Sequence, residues 1–384
     1  MHAARYVRSH HPLPVTLDVR VPHPRRYHLT LVDALLRCSL PAAGRFGAVR
    51  AAVARHGLAH LPLSVLLAFS PRREHPELDR LRDELGRGWR DLARHSNRIP
   101  AEPPDLALMV LRRSLGRLVF VFGEDPDPLL VCKIPEGDDP RVDAEAAVLE
   151  KVSTLDFVPR HLGHVGRARV QEALPGHPLA LEPLSYDAVL AAGWSQQLAE
   201  TAAMLERLGV VSRDDSDPTE NLTAEAEGLL TPKTVTRVRS SLDRLRAARV
   251  SVTCHGDVSA QNLMVRDGRV SGLVDWELAR RGLPGTDVLN LVQSDFEQRL
   301  GLVRWSTEEV LEAFSTAWDA APLFVEGRRA AKVAAEAVGL DGDLFPDVEV
   351  AHFAGRLQDR VDRPTQFLGG PRMAAAMVER ASAD

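Results

Sequence analysis

The sequence predicts a mixed α/β protein of two or three structural units. Three observations predict it. Apolar runs bounded by turn residues, Leu106 to Phe122 and Leu129 to Ile134, read as strands and lead into a helical pattern. A second strand group, Val250 to Cys254 and Leu263 to Val274, lies between long helical segments. Composition also shifts near Asn97–Pro104, where SNRIPAEPP reads as a linker and sets off residues 1–100.

Bulk composition bounds the function classes. With 45% hydrophobic residues over 384 positions, the chain has ample material for a core and is not a disordered protein. A net charge of −5 excludes a uniformly basic nucleic-acid binder, so no nucleic-acid partner is expected. Cys38, Cys132 and Cys254 are too few and too scattered for a disulfide framework, which fits a reducing cytoplasm. The opening MHAARYVRSHHPLP has no apolar core, so no signal peptide is expected. The most apolar stretch, Leu61 to Ser70, is about half a membrane span and contains Pro62. No membrane partner is expected.

Charge is uneven along the chain. Residues 1–100 carry 17 Arg against 8 Asp+Glu, and nine of the 14 histidines. Within them, Val15 to Val21 alternates like a half-buried strand. His28 to Cys38, Arg45 to His56 and Glu74 to His95 read as helices. The histidines lack metal-ligand spacing. The arginines suit a solvated face, an acidic partner, a phosphate or the acidic remainder of the chain. The residues show no chemical constellation in this unit, and a homo-oligomer formed through it is one reading.

Chemistry concentrates between Val250 and Leu291. An apolar run ends at His255-Gly256-Asp257, and Asn262 follows five residues after Asp257. Asp267-Gly268 predicts a tight hairpin, whose two central positions need positive φ. Its return strand ends at Asp275-Trp276-Glu277. The hairpin would bring Asn262 and Asp275 to one end, with Asp257 on the loop beside them. Such oxygen donors suit magnesium, which completes its octahedron with phosphate and water oxygens. Phosphoryl transfer asks for that, plus a carboxylate to orient the attacking hydroxyl.

HGD-x4-N, an apolar hairpin and then Asp-Trp resemble the catalytic loop and metal segment of the aminoglycoside phosphotransferase and choline kinase family. The resemblance implies a bilobal protein-kinase-like fold, with a small sheet-and-helix lobe over 101–174 and a larger, mainly helical lobe over 175–384. It implies Asp257 as catalytic aspartate, Asn262 and Asp275 as magnesium ligands, and His255 and Asp287 as structural support of the site. Glu277 could reach metal or a cationic substrate, or be a solvated residue at a helix start.

Such a fold also needs a strand lysine paired with a helix glutamate. The chain has only four lysines against 44 arginines, and Lys133 lies in the strand LLVCKI. The next helix, Arg141 to Val152, opens after Asp139-Pro140. It carries Glu145 on a stripe with Val142, Val148, Leu149 and Val152. A carboxylate on an apolar face needs a cation, and Lys133 is the candidate. Ser114 and Gly116 fall where a phosphate-covering turn is expected, although a plain hairpin turn reads equally well. ARVQEA followed by Leu174-Pro175-Gly176 resembles the inter-lobe connector, and implies adenine contacts by the backbone of Glu172 to Leu174.

The remainder is helical by pattern: Tyr186 to Ala192, Ser195 to Leu208, Pro232 to Ala248, Thr307 to Ala320, and segments from Gly327 onward. Asp214 and Asp215, in an acidic loop, are candidate contacts for a cationic substrate or part of a solvated connector. The resemblance implies transfer of the γ-phosphoryl of ATP (or GTP), with Mg²⁺, to a hydroxyl of a small molecule. Aminoglycoside-like antibiotics, other natural products, sugars and amino-sugars are the acceptor classes. The rivals are a catalytically inactive binding protein on the same fold, and an interaction module led by the basic N-terminal unit.

Overall fold

A computed structural model describes residues 76–362, except 114–115, 124–127, 136, 138–139, 180–192, 301–311, 313, 317 and 319, and also residues 370–383. The strand expected at Val15 to Val21 lies outside the described residues, as do the helices at His28 to Cys38, Arg45 to His56 and Tyr186 to Ala192. So do Ser114, Asp139 and most of Thr307 to Ala320. The fold is mixed α/β, a small sheet with helices and a larger helical part. The chain forms two compact units. One holds the described residues up to 179 with Gln261–Glu277; the other holds 193 to Ala260 and the described residues from Leu278 onward.

The first unit opens with α1 (Pro76–Arg94), followed by β1 (Ala107–Arg113), β2 (Gly116–Phe122) and β3 (Pro128–Pro135). Then come α2 (Pro140–Lys151), β4 (His161–Val165) and β5 (Ala168–Glu172). The strands make one antiparallel sheet in the order β1-β2-β3-β5-β4. Leu81, Leu85, Trp89 and Leu92 repeat at helical spacing along α1. They bury against Leu108, Val119, Val121, Leu130, Cys132 and Val170 of the sheet. Burying each such side chain contributes about 1.5–3 kcal/mol, so α1 is anchored in this core rather than appended to it. The Trp89 indole donates to the Pro100 carbonyl at 2.8 Å and turns the chain back toward β1.

A smaller sheet completes this unit. β6 (His177–Pro178) pairs with Leu263–Arg266, which forms the expected hairpin with Arg269–Leu273. Asp267 and Gly268 adopt φ of 53° and 76° at its turn, as a twist-matched two-residue hairpin requires. Gly176, at φ 106°, lets the backbone run against Val265, whose carbonyl oxygen would lie 2.2 Å from an added Cβ.

The second unit is mainly helical. Gly193–Ser212 and Pro232–Ala248 cover the segments where helices are expected; Thr231 caps the latter with its hydroxyl and Pro232 occupies the first turn. Thr286–Leu300, Pro322–Ala337, Phe345–Asp362 and Gly370–Ala381 follow. Phe314, Trp318, Phe324 and Phe353 pack ring on ring at its centre. The buried carboxylate of Asp347 gathers Arg237, Ser241 and Arg244, joining two of these helices. A two-stranded ribbon, Val252–Cys254 with Arg280–Gly282, carries the HGD loop. Among the described residues, no helix is long and apolar enough to cross a membrane.

Candidate active site

Lys133 stands on β3 opposite Leu118 of β2 and Arg169 of β5. Side chains of a strand alternate, so its neighbour Cys132 turns into the apolar core while Lys133 takes the other face. One turn into α2, Glu145 shares a buried face with Leu149 and Val152 at positions i, i+4 and i+7. Lys133 Nζ donates to Glu145 Oε1 at 2.7 Å and to Asp275 Oδ1 at 2.9 Å. Lys133 and Glu145 are 8% and 4% exposed, so this is a desolvated charge cluster.

One ammonium thus serves two carboxylates. Burial works against the Lys133 charge, but Asp275 and Glu145 together outweigh it and hold the lysine above its ordinary pKa. Burial raises the Glu145 carboxyl, with Lys133 opposing and the nearby Asp275 charge adding to the rise. Glu145 Oε1 also accepts the Trp276 backbone N–H at 3.1 Å. The helix glutamate therefore grips the chain one residue past Asp275.

Asp275 itself sits at φ 72°, a left-handed conformation that costs a side-chain-bearing residue about 1–2 kcal/mol. Its neighbours hold it there. Trp276 is fully buried, and its indole donates to the Leu273 carbonyl at 2.9 Å. The Val274 amide donates to the Asn262 carbonyl at 2.9 Å, one step beyond the Leu263–Leu273 register pair. That places Asn262 and Asp275 at the same end of the hairpin, as expected. Their amide and carboxylate oxygens are hard donors of the kind magnesium takes. Among the described residues, no group of three or more His, Cys, Asp or Glu could enclose a metal. The donor set fits an ion that leaves positions for phosphate and water.

At the end of β5, the Glu172 amide donates to Arg160 O at 2.9 Å and the Ala173 amide to Leu129 O at 3.1 Å. Leu174 is buried just beyond. The Glu172 side chain is buried and accepts a hydrogen bond from the Ser96 hydroxyl. Gly116 opens β2, paired with Arg113 and Pro135.

The HGD loop belongs to the second unit. Asp287, in the first turn of Thr286–Leu300, accepts the His255 amide at 2.7 Å through one oxygen and the Gly256 amide at 3.0 Å through the other. Burial pushes this carboxyl up to about 6, against the pull of those two amides. His255 is fully buried, and its Nδ1 accepts the Asp257 amide at 3.3 Å. Asn290, one turn along the Asp287 helix, donates its side-chain amide to Val258 O at 3.1 Å. Gly256 adopts φ 80°, where an added Cβ would lie 2.4 Å from Leu278 O. The loop is thus braced through its backbone from both sides.

Asp214 and Asp215 lie in a loop of the second unit. Asp214 bridges Ser251 backbone to backbone, and its carboxylate meets Arg281 at 2.6 Å. Asp215 accepts from Arg213 at 3.4 Å. Ser251 precedes the strand Val252–Cys254 and His255 follows it, so the acidic loop sits at the opposite end of that strand from Asp257. Glu277 is half-buried in the short 3-10 turn Trp276–Leu278 of the site. The sequence reading missed the contacts of Ser96 and Asn290, since neither lies in a recognisable pattern.

No curated protein matches the chain. Among solved structures, it is similar to a macrolide 2'-phosphotransferase from Brachybacterium faecium at 19% identity and TM-score 0.44, covering 78% of this chain and 97% of that one. It is similar to a putative fructosamine-3-kinase from Thermobifida fusca at 17% identity and TM-score 0.45, covering 73% and 94%. A choline kinase from Cryptosporidium parvum aligns at 12% identity and TM-score 0.37, covering 72% and 87%. Residues 110–332, more than half of the chain and the span holding Lys133, Glu145, Asp257, Asn262 and Asp275, match the model of the phosphotransferase enzyme family, and the chain belongs to that family.

Proposed function

We propose that the protein is an ATP-dependent O-phosphotransferase that moves the γ-phosphoryl group to a hydroxyl of a small molecule. The observation that carries this reading is the Lys133–Glu145–Asp275 cluster, in which the lysine and the glutamate are buried. A chain that used these residues only for packing would have little reason to bury a lysine and a glutamate where apolar side chains would serve as well. Lys133, oriented by Glu145, presents its ammonium to the α- and β-phosphates. Asn262 and Asp275 would hold Mg²⁺, which would supply positive charge to offset the negative charge that develops on the phosphates.

Asp257 orients the acceptor hydroxyl and accepts its proton as the acceptor oxygen bonds to the γ-phosphorus. The bond from the γ-phosphorus to the bridging oxygen breaks, and ADP leaves. The bracing of His255 and Gly256 by Asp287 fixes the backbone that carries Asp257, which is the positioning this reaction depends on. The amides of Glu172 and Ala173 are engaged within their own unit, so an adenine edge is read by the Glu172 carbonyl and the Leu174 amide. Glu277, beside the metal segment, is the candidate contact for an acceptor amine. The acceptor is an aminoglycoside-like antibiotic, another natural product, or a sugar or amino-sugar.

ADP release with ATP and Mg²⁺ over a panel of aminoglycosides, macrolides, nucleoside antibiotics, hexoses, amino-sugars and choline tests the reading. Acceptor-dependent turnover is expected, and Asp257→Ala is expected to lower it about 10²–10⁴-fold. Turnover indifferent to Asp257→Ala, or absence of Mg–nucleotide binding, overturns it.

A further inference from the structure

The segment between α1 and β1 precedes the span matched by the family, yet it reaches a residue of the proposed adenine-reading backbone. Glu172 is 1% exposed, and a carboxylate so buried needs donors. A hydrogen-bond donor and a cationic partner both come from this segment. The Ser96 hydroxyl donates to Glu172 Oε1, across 76 positions of sequence. Arg98 brings Nε to 3.7 Å from Glu172 Oε2. The segment is in turn tied down on each side. The Arg98 amide donates to Ser96 Oγ at 3.0 Å, and its guanidinium donates to Asp156 O at 2.9 Å. Ile99 is buried in the core that α1 shares with the sheet, and Trp89 holds the Pro100 carbonyl.

We propose that Ser96 and Arg98 are positioning residues for the nucleotide base, acting through the Glu172 side chain. The inference rests on the reading of Glu172 to Leu174 as the adenine-binding backbone. With its amide on Arg160 O and its carboxylate on Ser96 and Arg98, Glu172 is fixed from both ends. Its carbonyl then points in one direction. Adenine and guanine offer opposite hydrogen-bonding groups at the same ring position, so a carbonyl of fixed direction separates them and a slack one does not. The part of the chain upstream of the family span thereby enters nucleotide selection without touching the nucleotide.

Binding of ATP and of GTP, each with Mg²⁺, is measured by calorimetry on the full chain for wild type, Ser96→Ala, Ser96→Thr and Arg98→Ala, with steady-state kinetics alongside. Ser96→Ala is expected to weaken ATP binding about tenfold, to raise the KM for ATP with kcat within about twofold, and to narrow the ratio of ATP to GTP affinity. Ser96→Thr, which keeps the hydroxyl, is expected to restore all three. Should Ser96→Ala not fold, Arg98→Ala, with its side chain a third exposed, carries the same comparison. Wild type that binds Mg–nucleotide with both variants unchanged in affinity and base ratio overturns this inference alone. Wild type that binds no nucleotide overturns the proposed function and this inference with it.

Discussion

Two aspartates of this protein, one partly buried and one buried, are held in opposite ways. Asp275, in the first unit, meets the Lys133 ammonium at 2.9 Å. Asp287, in the second, spends both oxygens on the backbone amides of His255 and Gly256. A mobile side-chain cation can be exchanged for another cation. Fixed amides cannot, so the first arrangement suits a metal ligand and the second a brace. The pairing also separates two kinds of dependence, one on charge balance and one on backbone shape.

The largest effect is expected from removing the charge partner. Lys133→Met leaves the buried Glu145 and the partly buried Asp275 without their cation, and breaking such a cluster costs about 3–5 kcal/mol. Urea unfolding at neutral pH reads it. The folded state already raises the Glu145 carboxyl, so the native protein takes up that proton before the unfolded chain does. Stability of the variant is therefore expected to recover as the pH falls. A neutral Lys133→Met would break the contrast, because the two carboxylates would then need no cation.

Next comes backbone shape. Gly256→Ala combines φ 80° with a Cβ placed 2.4 Å from the Leu278 carbonyl oxygen, which is not a flexible side chain that can step aside. A loss of about 3 kcal/mol is expected, with a displaced Asp257 and lower kcat. Asp287→Asn sharpens the same point through pH. The carboxyl titrates near its ordinary 3.8 when unfolded and at about 6 when folded, so the native state binds the extra proton between those values. Its contribution is full below the lower value and is lost as pH rises through about 6, by up to about 1.4 kcal/mol per pH unit. Unfolding free energies at several pH values should show a steeper slope in wild type than in Asp287→Asn. The smallest effect is expected from Gly268→Ala. Its φ of 76° resembles that of Gly256, but an added Cβ meets nothing within 4 Å. About 1 kcal/mol of conformational cost remains, readable as a small drop in Tm.

Much of this was legible beforehand, for physical reasons that differ by element. The Asp267-Gly268 turn is readable because few residue pairs accept two positive φ values. Glu145 is readable because helical periodicity puts it on an apolar face, where a charge needs a partner twelve positions away. The strand Arg280–Gly282 is not readable: it is three residues long, two of them arginine, and it exists because Val252–Cys254 offers an edge. The linker at Asn97–Pro104 looks like a boundary by its prolines and charge. Ser96, Arg98 and Ile99 are nonetheless fastened to the first unit, since a hydroxyl or guanidinium contact across the fold leaves no local pattern. The ion pair of Asp214 with Arg281, 67 positions away, left no local pattern to read.

The first unit is assembled from two stretches of chain, and this has a consequence for the order of events on the ribosome. Asp275 follows Lys133 by 142 positions. At about 5–20 residues per second, roughly 7–28 s of synthesis separate the lysine from its second carboxylate. During that interval β6 lacks its pairing strand and Lys133 has only Glu145 to answer it. A nascent chain arrested before Gln261 should therefore remain protease-sensitive in this unit, and one arrested well after Glu277 should become resistant. The charge cluster is among the last things this unit can finish.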